Sequence, residues 1–185
     1  MQLRLHAFEP ASRANGPGLR AAIWFQGCSI GCPGCFNRET HDPCGGSLAD
    51  TEELAGRIFR GSQGIEGASI SGGEPFEQPQ ALLDLVRRIR SAGLGVLLFS
   101  GYTIEKIRLM PLGPRILSQV DVLIAGPYVQ SQHRACGLLG SINQRIHFLT
   151  SRYTPSDFAA IPGGEIVLHK DGSVTLSGIS PPQKF

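Results

Sequence analysis

Arg20-Ala21-Ala22-Ile23-Trp24-Phe25-Gln26 runs straight into Gly27-Cys28-Ser29-Ile30-Gly31-Cys32-Pro33-Gly34-Cys35-Phe36-Asn37. The first half is a mostly apolar run of strand length and reads as a buried strand. The second half has the spacing Cys-x3-Cys-x2-Cys and forms a loop at that strand's C-terminal end. Thiolates hold iron–sulfur clusters, normally four to a cluster, so three would leave one iron with an open position. A zinc site is the competing reading, because His41 or Cys44 stands near enough in sequence to be a fourth ligand. Plain structural thiols are a third reading, although a disulfide across such short spacings suits an intracellular protein poorly. The glycines and Pro33 suit a loop that wraps a bulky group, since glycine lets backbone approach closely.

Working outward, residues 2–8 alternate apolar and polar side chains as a strand does, and Asn15-Gly16-Pro17-Gly18 is a turn. Residues 38–49 look irregular. Asp50-Thr51-Glu52-Glu53 is a helix start, a capping residue with glutamate three positions on, and Leu54, Ile58 and Phe59 give that helix an apolar side. Residues 67–71 form a short strand that ends in Gly72-Gly73-Glu74-Pro75. Pro79 opens the clearest helix, with Leu82, Leu85, Val86 and Ile89 at helical spacing and Gly93 as its stop. Residues 95–100 are continuously apolar, as in a parallel strand covered on both faces. Thr103 caps a short helix with Ile104 and Ile107, and a further helix is expected over 112–119. Residues 120–125 form another buried strand, broken by Gly126-Pro127-Tyr128. Residues 130–142 read as loop or short helix and 144–149 as a strand. Residues 165–168 and 174–176 flank the hairpin turn signal Lys170-Asp171-Gly172.

Alternating strands and helices imply parallel strands joined by crossovers, with reactive groups gathered beyond the strands' C-terminal ends. Each apolar strand here ends in something chemically unusual: the cysteine loop, Gly72-Gly73-Glu74, Ser100-Gly101-Tyr102 and Gly126-Pro127-Tyr128. That repetition points to one shared site. The expected fold is α/β: an open, partial TIM-like (β/α)6 barrel of mostly parallel strands, with a small C-terminal β-hairpin extension. Residues 1–150 would be the core domain, and residues 151–185 an extension packed on it.

At 185 residues the chain suits one domain. A net charge of +2 gives no reason to expect a nucleic-acid or membrane surface. No run approaches a transmembrane span and the first residues lack a signal-peptide core. Five cysteines, three of them clustered, argue against a secreted disulfide framework and for the reducing cytoplasm. Cys44 reads as a loop thiol and Cys136 as a small buried apolar residue. His41, His133 and His147 carry no pattern.

Taken together, these pieces resemble the radical S-adenosylmethionine (SAM) enzymes, and among them the activases of anaerobic ribonucleotide reductase and other glycyl radical enzymes. The resemblance rests on Asn15-Gly16-Pro17-Gly18 with Arg20, Cys28/Cys32/Cys35 running into Phe36-Asn37, and Ser71-Gly72-Gly73-Glu74-Pro75. It continues through Ser100-Gly101-Tyr102, residues 121–128 and Gly140-Ser141-Ile142-Asn143-Gln144-Arg145. The resemblance implies one [4Fe-4S] cluster on Cys28, Cys32 and Cys35, with SAM on the fourth iron. Reductive cleavage would give methionine and a 5′-deoxyadenosyl radical. It also implies SAM contacts from Phe36, Asn37, Gly72, Gly73, Glu74, Ser100 and Asn143. The implied partners are a glycyl radical enzyme and a flavodoxin- or ferredoxin-type reductant, with no nucleic acid and no membrane. Pro33-Gly34 before the last cysteine matches the reductase activases, whereas Ala125 stands where they usually carry aspartate. A stand-alone radical SAM enzyme acting on a peptide or small molecule is the alternative, and a zinc-stabilised binding module using Cys44 is a third.

Overall fold

The computed structural model describes residues 1–61 and 64–179. Its strands are β1 (Gln2–Ser12), β2 (Arg20–Phe25), β3 (Ser47–Asp50), β4 (Gly67–Gly72), β5 (Gly95–Ser100) and β6 (Val122–Ala125). They continue with β7 (His133–Cys136), β8 (Leu139–Ser141), β9 (Arg145–Phe148), β10 (Glu165–Leu168) and β11 (Val174–Ser177). The helices are α1 (Thr51–Gly61), α2 (Pro79–Ser91), α3 (Ile104–Leu109) and α4 (Gly113–Leu117).

Seven strands make one mixed sheet in the order β3-β1-β2-β4-β5-β6-β9. Its centre is the parallel set β2, β4, β5 and β6, side by side in chain order. A helical crossover precedes each of the last three, as the strand–helix alternation predicts. The flanks are antiparallel: β1 pairs with β2 and β3, and β9 with β6. The (β/α)6 expectation called for more parallel strands than these four. No helix intervenes between β1 and β2, only the glycine-rich turn, so that pair is antiparallel.

Alternation along the central strands splits the core in two. Val96, Leu98 and Leu123 pack with Leu54 and Ile58 of α1, Leu82, Leu85, Val86 and Ile89 of α2, and Ile104, Ile107 and Ile116. Leu97, Val122 and Ile124 face the other way and meet Leu138 and Tyr153, with Phe158 and Ile161 packed behind. The strand at 95–100 is thus covered on both faces, but the second cover is C-terminal chain rather than helices. Asp50 accepts the Glu52 and Glu53 N–H groups as the cap of α1, and Thr103 caps α3. Phe59 departs from expectation: it is exposed while Leu54 and Ile58 are buried. Two further corrections concern short strands. Residues 38–49 contain β3 and a 3-10 turn, and residues 130–142 contain the β7–β8 hairpin.

The hairpin at 165–177 forms as expected, with Glu165 opposite Ser177 and Leu168 opposite Val174. Glu165 accepts the Ser12 hydroxyl and the Arg13 N–H, Asn15 donates to Ser177, and His169 approaches Glu9 at 3.3 Å. Among the described residues no helix is long and apolar enough to cross a membrane.

Asp121, just before β6, ties three elements together. It accepts the Val96 N–H at 2.9 Å, the Arg90 guanidinium at 2.5 Å and the Thr150 hydroxyl at 2.6 Å. Burial pushes its carboxyl up, but the bonds from Thr150, Val96 and Arg90 more than offset this and hold it below the usual range. A depressed folded-state pKa adds stability that is complete above the unfolded value, about 3.9, and is lost as pH falls through the folded value. Asp121→Asn should cost about 1–3 kcal/mol near neutral pH. Unfolding free energies of the two proteins should converge as the pH is lowered below 3.9; curves that stay parallel would refute the assignment.

Candidate iron–sulfur active site

Beyond the C-terminal ends of β2, β4, β5 and β6 lies a cleft of about 670 Å³. Cys28, Cys32 and Cys35 all line it, together with Phe36, Asn37, Gly72, Gly73, Glu74 and Ser100. The strand-end repetition in the sequence therefore converges on one place. Trp24, Ser71, Phe99 and Ile124 form its floor from the sheet.

The cysteine loop is held at its base by backbone. Gly27 N–H donates to Thr40 O at 2.7 Å, Cys28 N–H to His41 O at 3.1 Å, and Glu74 N–H to Gly27 O at 2.8 Å. Inside the loop, Cys35 N–H donates to Cys32 O, and Asn37 N–H to Cys35 Sγ at 3.4 Å. Burial raises the Cys28 and Cys35 thiols above the ordinary cysteine range, partly offset by N–H groups of Ile30 and Gly31 for Cys28, and of Asn37 for Cys35.

Gly72 and Gly73 are glycines for a reason within the chain itself. A Cβ on Gly72, whose φ is +105°, would sit 2.4 Å from Phe25 N, and one on Gly73 2.2 Å from Gly27 O. The end of β4 lies against the end of β2 with no room for a side chain, and the same backbone forms cleft wall.

Glu74 is fully buried. Its carboxylate accepts Phe76 N–H at 3.0 Å, Gly101 N–H at 2.8 Å and the Ser100 hydroxyl at 2.9 Å. It therefore caps the turn after β4 and bolts that turn to the end of β5. Burial pushes its carboxyl up to about 7, against those three donors. Ser100 donates to Glu74 and accepts Tyr102 N–H at 3.0 Å, so its hydroxyl proton is already committed. Phe36 is 55% exposed at the rim, edge-on to Tyr128 with ring centroids 5.8 Å apart. Asn143 is set back from the cleft lining. Its amide donates to Pro127 O at 2.8 Å, and its buried Oδ1 has no partner.

The sequence reading placed Tyr128 and Gln144 within its motifs, but it missed His133 and the part of the C-terminal hairpin that reaches the cleft. Tyr128 and His133 line the cleft and share a 3.0 Å hydrogen bond. Gln144 also lines it, accepting Gly140 N–H and donating to Gly126 O. Thr175, Leu176, Ser177, Gly178 and Ile179 bring the C-terminal hairpin to the same cleft. Cys136 is exposed, not buried as expected, because it sits on the outer β7–β8 hairpin.

The donor set fits a cluster with an open iron. Three half-buried thiols share one cleft wall, and Cys44 is exposed and absent from that wall. Among the described residues no three His, Cys, Asp or Glu side chains gather on a single-ion site, whereas thiolates on separate corners of a cubane stand further apart.

Comparison with known proteins agrees. The family described as "4Fe-4S single cluster domain" matches residues 14–147. The chain is 30% identical over 156 residues to the anaerobic ribonucleoside-triphosphate reductase-activating protein of Salmonella typhi, covering 80% of this chain and 99% of that one. The Vibrio cholerae protein of the same name is 32% identical over 158 residues, with 80% and 99% covered. This chain belongs to the radical SAM activase family. A third relative, the pyruvate formate-lyase-activating enzyme of Clostridium pasteurianum, is 33% identical over 95 residues, 49% of this chain and 40% of that protein. The 4Fe-4S domain match stops at residue 147, so the C-terminal hairpin that reaches the cleft lies beyond it.

Proposed function

We propose that the protein cleaves S-adenosylmethionine reductively and uses the product radical to install a glycyl radical on a partner enzyme. The observation that carries this is the meeting of Cys28, Cys32 and Cys35 with Gly72, Gly73 and Glu74 on one cleft at the strands' C-terminal ends. When bound, the four-iron cluster and SAM supply the electron and the carbon–sulfur bond whose cleavage yields methionine and the hydrogen-abstracting 5′-deoxyadenosyl radical. In this reading the three thiolates are the protein ligands of the cluster. Gly72 and Gly73 offer close-lying backbone to the methionine end of SAM. Phe36 offers an exposed ring to the adenine, and Asn37 lies beside it on the wall. Ser100 acts on Glu74 by fixing its carboxylate, and Asn143 acts at one remove by holding Pro127. A flavodoxin- or ferredoxin-type protein in the cytoplasm is the electron donor.

The four parallel strands and their helices are read as the core of an open β/α barrel, with residues 151–185 as its extension. A partner protein that reaches into the open cleft would complete the exclusion of water. The hairpin at 165–177 narrows one side of that cleft and favours a second reading, a stand-alone enzyme acting on a peptide or small molecule.

The test uses reconstituted, reduced protein with SAM and a candidate glycyl radical enzyme from the same genome. A glycine-centred paramagnetic resonance signal is expected on the partner. SAM cleavage without that signal, with hydrogen abstraction from a peptide instead, would overturn the leading reading in favour of the second.

A further inference from the structure

We infer that Glu77 is a positioning residue for the cysteine loop, clamping the chain next to Cys28 to the turn that follows β4. The inference rests on the proposed reading of Cys28 as a cluster ligand. Glu77 Oε1 accepts both the N–H and the hydroxyl of Ser29, each at 2.7 Å. Ser29 directly follows Cys28, so the clamp acts one residue from a thiolate. The base of the loop is fixed by Gly27 and Cys28 backbone bonds to Thr40 and His41. Beyond them, among the described residues, the hydrogen bonds from 29–34 to the turn after β4 start at Ser29.

The turn that carries Glu77 is itself anchored. Glu77 N–H donates to Glu74 O at 3.0 Å, and Glu74 is bolted to Ser100 and Gly101 at the end of β5. The clamp thus transmits the placement of two central strands to the loop. A bond to an ionised acceptor is roughly twice as strong as a neutral one, and two donors converge here on one oxygen. The negative charge of Glu77 is also felt at Glu74 and Tyr102, where it disfavours further negative charge. A cluster in this loop that gains an electron would meet the same opposition, which makes it a stronger reductant.

Glu77→Ala and Glu77→Gln separate the two effects, because glutamine keeps one accepting oxygen and loses the charge. In metal-free protein, amide exchange at Ser29 and Ile30 should speed up about tenfold in Glu77→Ala and by clearly less in Glu77→Gln, which keeps an acceptor but loses the charge that strengthens the bond. After anaerobic reconstitution, Glu77→Ala should hold its iron up to about tenfold less tightly against a chelator, since the exposed clamp bonds the residue after the ligand and not the ligand itself. Glu77→Gln should retain iron, but with a higher midpoint potential. Unchanged exchange and iron retention in Glu77→Ala would overturn the clamp, as would a Glu77→Gln as damaged as Glu77→Ala. A wild type that takes up no four-iron cluster would instead overturn the cluster reading, whatever the exchange rates show.

Discussion

Alanine at Cys32 is expected to reduce both four-iron uptake and SAM cleavage to background, while alanine at Cys44 leaves both at the wild-type level. The two thiols are twelve residues apart in a chain with five cysteines, and sequence alone allows either to be a ligand. The structure separates them. Cys32 lies on the cleft wall with Cys28 and Cys35. Cys44 is exposed, and its backbone carbonyl is held by Arg4 at 3.0 Å. A cluster already short of one protein donor has no thiolate to spare, so loss of a second leaves two irons without protein ligands. A zinc module makes the opposite forecast: four ligands close its tetrahedron, and Cys44→Ala is then as damaging as Cys32→Ala. Iron, sulfide and zinc per chain after anaerobic purification, with 5′-deoxyadenosine formation, decide between them. Equal damage from the two substitutions would end the cluster assignment.

The parts of this site that the sequence displayed are those with a local chemical signature. Cysteine spacing, paired glycines and a proline-opened helix are each fixed by a few adjacent residues. Their convergence followed from strand order, because parallel strands send all their C-terminal ends to one edge. Glu77 was invisible for the converse reason. Its partner Ser29 lies 48 residues away, and a glutamate in a turn looks like any solvated carboxylate until both chains are placed. The β7–β8 hairpin was missed because His133–Cys136 and Leu139–Ser141 are too short for alternation to register, and their pairing is irregular. β3 is four residues long and owes its conformation to pairing with β1. The partly parallel character of the sheet was readable only where helices intervene. His133 illustrates the limit: nothing adjacent marks it, yet its 3.0 Å bond to Tyr128 puts it on the cleft wall.

Arg20 came into view as part of the motif set that supports the active site, but it belongs to the opposite edge of the sheet. It is fully buried at the start of β2. Its guanidinium donates five hydrogen bonds, to Ser69 Oγ, Pro17 O, Tyr153 Oη, Ala68 O and Gly95 O, at 2.9–3.2 Å. All five acceptors are neutral oxygens, one for each donor the side chain carries. They come from the glycine-rich turn, β4, β5 and the C-terminal segment. Gly67 and Gly95 make the space: a Cβ on Gly67 would lie 2.7 Å from the guanidinium, and one on Gly95 2.1 Å from the Tyr153 hydroxyl oxygen. Arg20→Met keeps most of the volume and removes every donor, leaving buried carbonyls without their partner at about 1–3 kcal/mol each before relaxation. A total loss of about 3–5 kcal/mol is expected, a large share of the 5–15 kcal/mol typical of a folded domain. At about 2–4 °C per kcal/mol for a chain of this size, the melting temperature of the metal-free protein should fall by roughly 6–20 °C. Arg20→Lys should lie between the two, since an ammonium offers three donors to five oxygens. Folded Arg20→Lys should still take up the cluster, because Cys28, Cys32 and Cys35 sit at the other end of the strands. A Met variant that melts within about 2 °C of wild type would show that these five bonds contribute little, and that the edge is held by the apolar packing around Tyr153 instead.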